Sequence, residues 1–180
     1  MESQPAPAED RRAFMKEAAA AVLGGSAVLV PAAAGVVAWL DPLGRKGSGG
    51  AFVRVASLEA VPADGVPRRF PVLADKVDAW TRQSGVPVGA VYLRRLPDQA
   101  LQALNVVCPH AGCFVDYQAE RANYFCPCHN STFAADGSIN DPKSPSPRAM
   151  DGLEVEVRGS EVWVRFQNFQ AGHPEKIPVA

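Results

Sequence analysis

Cys108-Pro109-His110-Ala111-Gly112-Cys113 and, twelve residues on, Cys126-Pro127-Cys128-His129-Asn130-Ser131 decide how this chain is read. All four cysteines and two of the three histidines of the 180-residue chain lie here. Each half offers one thiolate and one imidazole on a short loop, and each carries a further cysteine. Pro109 helps the first loop turn tightly. A structural zinc site is one reading, because Cys and His at short spacing bind zinc. Zinc motifs usually pair like with like, C-x-x-C and then H-x-x-x-H. Here Cys-His is followed by Cys-His, and zinc leaves two cysteines without a role.

The motif pair C-x-H-x-G-C and C-P-C-H-x-S resembles the Rieske iron–sulfur protein of cytochrome bc complexes, the quinol–cytochrome c reductases. In a Rieske [2Fe-2S] cluster two cysteines hold one iron and two histidines hold the other. Exchanging two thiolates for neutral imidazoles removes negative charge and eases reduction. The potential rises to between about −150 and +300 mV. The resemblance implies Cys108 and Cys126 as ligands of the buried iron, with His110 and His129 on the outer one. It implies that His129 faces the quinol and that the Ser131 hydroxyl bonds a bridging sulfide. Cys113 and Cys128, left over, are expected to form a disulfide where the two loops face each other. Such a bridge closes a loop of about 15 residues, stabilises by roughly 3 kcal/mol on the chain-entropy estimate, and points to an oxidising compartment.

Two positions depart from the family pattern. Asn130 stands where the family usually has Gly, and Asn tolerates positive φ better than most residues. Phe133 stands where high-potential members carry a tyrosine bonded to a ligand sulfur. Losing a hydrogen bond of about 1 kcal/mol differential strength lowers a one-electron potential by roughly 40 mV. Phe133 and Ser131 are therefore the potential-tuning positions, and the expected donor is a low-potential quinol such as menaquinol. Ser144-Pro145-Ser146-Pro147 sits where the family has a proline-rich loop covering the cluster. Pro145 and Pro147 stiffen such a lid without adding donors.

Residues 1 to 9 have the Pro-, Ala- and Glu-rich composition of a disordered leader. Asp10-Arg11-Arg12-Ala13-Phe14-Met15-Lys16 resembles a twin-arginine export signal, with Arg11 and Arg12 as its pair. That route carries folded proteins, which suits a cluster assembled before export. Residues 18–40 are uncharged and reach about 34 Å as a helix, enough to cross a bilayer. Pro31 is a kink position. Ala32-Ala33-Ala34 offers a cleavage region in the competing reading of a removed signal peptide. The expected layout is residues 1–17 cytoplasmic, 18–40 a single-pass anchor in a bacterial cytoplasmic membrane, and 41–51 a glycine-rich flexible hinge. Residues 52–180 then form a Rieske domain on the outer side. A tethered head keeps a high effective concentration near its partners.

The head reads as all-β. Short strands are predicted over Phe52–Ala56, Arg69–Leu73, Val88–Arg95, Ala103–Val107, Leu153–Arg158 and Val162–Phe166, with Gly159-Ser160 as a hairpin turn. The expected fold is a Rieske-type antiparallel β-sandwich or open barrel with an inserted cluster-binding subdomain at about 106–134. Ala74–Thr81 is predicted as a short turn or helix. Trp80 and Trp163 are expected in a core or interface, and His173 on the surface. The formal net charge of −1 gives no reason to expect a nucleic-acid partner.

No nucleophile or acid–base pair stands out beyond His110 and His129. The chain reads as an electron-transfer subunit, with cytochrome b, a c-type cytochrome and quinol as partners and the lipid bilayer as its anchor medium. In that reading quinol gives one electron to the cluster and a proton to a ligand imidazole, since a bound metal's charge shifts imidazole proton affinity. The small subunit of arsenite oxidase has a similar plan and would make a molybdenum enzyme the partner. Ferredoxin and oxygenase components share the ligand spacing but lack the disulfide cysteines.

Overall fold

The computed structural model describes residues 8–44, 50–77 and 81–179. Contacts divide the chain into two units, Met1–Arg45 and Lys46–Ala180.

The first unit is one helix, α1 (Ala8–Gly44), 37 residues long. Ala8 and Glu9, expected in a disordered leader, already belong to it, because Ala and Glu propagate a helix well. Residues 1–7 lie outside the described residues. Arg11–Asp41 meets the length and composition of a membrane span, with mean hydropathy 2.0. Val22, Leu23, Val28, Leu29, Val30 and Val37 each stand about two-thirds exposed. A helix apolar on every side suits an apolar solvent. α1 continues through Pro31 and past Leu40, so residues 41–44 of the expected hinge are helical. Residues 45–49 of that hinge lie outside the described residues.

The second unit is all-β. Its strands are β1 (Phe52–Ser57), β2 (Arg68–Val77), β3 (Arg82–Arg95), β4 (Leu101–Asn105), β5 (Asp116–Gln118), β6 (Asn123–Cys126), β7 (Ser131–Ala134), β8 (Gly152–Leu153), β9 (Val155–Arg158) and β10 (Glu161–Arg165). They form three antiparallel sheets ordered β1-β10-β9, β2-β3-β4-β8 and β5-β6-β7. The third sheet is inserted between β4 and β8, where the cluster subdomain was expected. The Gly159-Ser160 hairpin forms, with Gly159 at φ +62°.

β3 explains the layering. Ala90-Val91-Tyr92-Leu93 is apolar at every position, and each of the four is buried. Side chains alternate along a strand, so such a run needs apolar partners on both faces. Val91 and Leu93 pack with Ala56, Val72, Val162 and Val164 between the first two sheets. Ala90 and Tyr92 face the other way and pack with Val106, Cys108, Val115, Tyr124 and Phe133. The same alternation in β10 turns Val162 and Val164 inward and leaves Trp163 on the outer face, half-buried beneath the Arg158 guanidinium at 4.8 Å. Trp163 is thus a sheet-surface residue rather than a core one. Gly89 is required by packing: a Cβ there would lie 2.3 Å from the Phe166 ring.

The turn or helix predicted over Ala74–Thr81 is not formed by its described residues. β2 runs to Val77 and pairs Ala74 with Val86 and Lys76 with Gln83. Asp75 accepts from Arg82 at 2.9 Å and from the Gly85 N–H at 3.2 Å, closing the ladder across the hairpin. Cross-strand pairing overrides the weak local preference of Ala, Asp and Lys. Residues 78–80, and with them Trp80, lie outside the described residues.

Candidate metal centre

Two tight turns build the site. The first follows β4. Val107 bridges to Phe114, the Cys108 N–H donates to the Cys113 carbonyl at 2.7 Å, and Gly112, at φ +80°, donates to the Cys108 carbonyl at 3.0 Å. Glycine is suited to that left-handed position. Asn105 sets the entry: its Oδ1 accepts from the Val107 N–H at 3.0 Å. The second turn joins β6 to β7, whose register pairs Cys126 with Ser131 and leaves His129 and Asn130 in the turn. Asn130 takes φ +61°, the conformation for which a glycine or asparagine is expected.

The two turns face each other. Cys113 and Cys128 are joined by a disulfide. Cys108 and Cys126 are free thiols, 0 % and 1 % exposed. The His110 and His129 rings meet edge to face with centroids 4.8 Å apart. His110 is half-buried and His129 exposed, so the second ring is the more accessible of the two. The Cys126 sulfur also lies within 4.8 Å of both disulfide sulfurs. That trio is not a ligand set, because two of its members are spent on each other.

The electrostatic environment of Cys126 combines opposing influences. Burial pushes the Cys126 thiol up, and the adjacent Cys108 adds to the rise. Hydrogen bonds from the Cys128 and His129 backbone N–H groups act the opposite way. Backbone donors aimed at a buried sulfur prepare it for negative charge. Two neighbouring thiolates in a dry site need a cation between them, and a bound metal supplies that charge. Of six buried side-chain atoms without a hydrogen-bond partner among the described residues, two belong to these turns, His110 Nδ1 and Ser131 Oγ. A buried polar atom without a partner is uncommon and asks for an explanation. Two free thiols, two facing imidazoles and an unpaired hydroxyl fit an iron–sulfur cluster held by mixed sulfur and nitrogen ligands.

Phe133, Pro145 and Pro147, expected to tune the potential and to cover the cluster, lie in β7 or in the loop that follows it. Phe133 is fully buried in the apolar cluster that contains Cys108, Cys126 and Tyr124. It brings no hydrogen-bond donor to the sulfurs. Pro145 and Pro147 are exposed on either side of buried Ser146. Their loop is tied to β7 by Ser144, whose hydroxyl accepts from the Thr132 N–H at 3.3 Å. His173 is exposed, as expected. Arg11 and Arg12 are exposed on α1 and belong to the other unit.

Sequence reasoning missed Tyr92 and Asn105. The Tyr92 hydroxyl donates to the Val115 carbonyl at 3.0 Å and accepts from the Tyr117 N–H at 3.1 Å. Its ring packs on Tyr124 with centroids 4.9 Å apart. It pins the inserted sheet to β3. Nothing local marks it, since its partners lie 23 and 25 residues away.

The Rieske [2Fe-2S] domain family matches residues 51–158. The menaquinol:cytochrome c reductase iron-sulfur subunit of Geobacillus thermodenitrificans is 32% identical over 127 residues, 69% of this chain and 72% of that one. The cytochrome b6-f complex iron-sulfur subunit of Synechococcus elongatus is 31% identical over 163 residues, covering 88% and 85%. Among solved structures, the plasma membrane Rieske protein of Synechocystis PCC 6803 superposes with a TM-score of 0.44 at 23% identity, over 63% of this chain and 99% of that one.

Proposed function

The chain belongs to the Rieske [2Fe-2S] domain family, and from that premise we propose that it is the iron–sulfur subunit of a membrane quinol–cytochrome c reductase. One observation carries the reading: two buried free thiols and two facing imidazoles meet where two disulfide-tied turns converge, in a chain that also carries one long apolar helix. When bound, the [2Fe-2S] cluster supplies reversible one-electron chemistry.

The chain's own residues do the rest. Cys108 and Cys126 would hold one iron through sulfurs kept away from water. His110, whose Nδ1 has no partner, and His129 would hold the other. His129, the more accessible ring, is the group that meets quinol and accepts its proton. Ser131 and Phe133 set how strongly the sulfurs are hydrogen-bonded, and the absence of a donor on Phe133 suits menaquinol. Pro145 and Pro147 keep their loop stiff and free of competing donors.

The apolar helix anchors the subunit once in a bacterial cytoplasmic membrane. Arg11 and Arg12 direct export of the folded protein, the N-terminus stays cytoplasmic, and the head stands on the outer side. Held near the membrane by this anchor, the head serves both cytochrome b and a c-type cytochrome. The test is purification of the native membrane complex. Cytochrome b and a c-type cytochrome in the same fraction, with menaquinol-dependent cytochrome reduction, support the reading. A molybdopterin subunit in their place overturns it.

A further inference from the structure

The family match ends at residue 158, yet the chain continues past β10 into a tail that returns to the first ligand turn. We propose that Arg148, acting through this tail, is the positioning residue for the turn that carries Cys108 and His110. The inference rests on the reading of that turn as a cluster-binding loop.

The Arg148 guanidinium joins two segments. Toward its own loop one edge of it grips both carboxylate oxygens of Asp151, Nε to Oδ1 at 3.0 Å and Nη2 to Oδ2 at 2.8 Å. Toward the tail, Nη2 donates to the Gln170 carbonyl at 3.0 Å and Nη1 donates to the His173 carbonyl. The Arg148 and Asp151 side chains are only 10% and 5% exposed. A buried ion pair adds little net stability, but a guanidinium that makes four directed hydrogen bonds to two segments fixes their geometry. Lysine, a point charge, cannot reproduce that fork.

The tail segment so gripped touches the ligand turn. Gly172, between the two gripped carbonyls, donates its N–H to the Pro109 carbonyl at 2.8 Å. Pro109 is fully buried and separates Cys108 from His110. Gly172 holds φ +79°, and a Cβ there would stand 3.6 Å from the His110 carbonyl. The tail is otherwise a narrow hairpin, with Phe169 bridged to Pro178 and the Gln167 carbonyl held by Asn105 Nδ2 at 3.0 Å. Arg148 thus transmits the position of the 144–151 loop to the first ligand turn through a segment outside the family match.

The test is amide hydrogen exchange on the full-length, cluster-bound protein, with the cluster's potential and the decay of its visible absorbance read on the same samples. In Arg148→Gln, exchange across 108–113 is expected to quicken about tenfold or more, absorbance to decay faster, and the potential to shift. A chain ending at Asn168 keeps the Arg148–Asp151 pair and loses the tail, so it must show the same changes; it also serves if Arg148→Gln does not fold. Arg82→Gln, which breaks an exposed ion pair on the β2–β3 hairpin, must behave as wild type. Wild-type exchange across 108–113 in a folded Arg148→Gln, or in the chain ending at Asn168, overturns the proposal. Wild-type protein without iron or acid-labile sulfide sinks the cluster reading instead, and the exchange comparison still reports on the clamp.

Discussion

Cys126 and Ser131 sit directly opposite each other at the base of the turn that carries His129. Their pairing places a candidate ligand sulfur and an unpaired hydroxyl on one site. It also forces the chain between them to reverse within four residues, and Asn130 absorbs the reversal at φ +61°.

Asn130→Gly should therefore leave stability and the cluster spectrum intact. Asn130→Val should destabilise the head by about 1–2 kcal/mol, the cost of a β-branched residue in the left-handed region. Thermal unfolding of both variants checks this. Equal stability of the two would contradict the account of the turn.

Tyr92→Phe removes a hydroxyl that serves both the Val115 carbonyl and the Tyr117 N–H. Two buried groups lose their partner, and a loss of about 1–3 kcal/mol is expected. Denaturant unfolding measures it, and the inserted sheet should lose exchange protection before β3 does.

Phe133→Tyr places a hydroxyl in the apolar cluster that holds both free thiols. If it bonds a ligand sulfur, the reduced state gains about 1 kcal/mol and the potential rises by roughly 40 mV. Protein-film voltammetry gives the number. An unchanged or lower potential counts against Phe133 as a tuning position.

Removing the disulfide with Cys113→Ser and Cys128→Ser together frees a loop spanning 15 residues of sequence separation. The stability loss should be about 3 kcal/mol. Because the bridge ties the two ligand turns to each other, the cluster absorbance should also decay faster. A variant that retains its cluster as long as wild type denies the bridge that role.

Acid should weaken the head through particular carboxylates. The hydrogen bond from the Ser138 side chain holds Asp136 below the usual carboxylate range, and that from Arg82 does so for Asp75. A folded pKa below the unfolded value of about 3.9 means the unfolded chain binds more protons in acid. Their contribution is complete above that pH and fades as pH falls below it. Both groups are largely solvated, so the effect is modest. Urea midpoints between pH 3 and 6 should fall on the acid side, with a shallower fall in Asp75→Asn/Asp136→Asn.

The ligand turns were legible because the chemistry demands particular side chains at fixed short spacings, and no packing argument is needed to see them. Alternation in Leu153–Val157 and the Gly159-Ser160 turn revealed the β9–β10 hairpin for the same reason: the signal is local. Glu154 still breaks the predicted strand in two, because β8 pairs with β4 while β9 pairs with β10. Tyr92 and Arg148 were not legible. Tyr92 has its hydroxyl's partners more than twenty residues away, and Arg148 pairs locally with Asp151 but reaches the tail only through carbonyls 22 and 25 residues on. The β2–β3 hairpin beyond Leu73 was missed because Ala74, Asp75 and Lys76 have little strand preference of their own and are held by cross-strand pairing with Val86 and Gln83. Pro71 is tolerated on an edge strand, and Pro87 lies outside the stretch of β3, Val91–Arg95, that pairs with β4.

The central claim is that two thiolates and two imidazoles together hold a pair of irons. Electron–nuclear double resonance on anaerobically purified, reduced protein, grown with and without nitrogen-15 histidine, addresses it directly. The account predicts strong coupling to two histidine nitrogens, from His110 and His129, and a complete change of that pattern on labelling. A cluster without histidine coupling, or protein containing zinc and no iron, contradicts it.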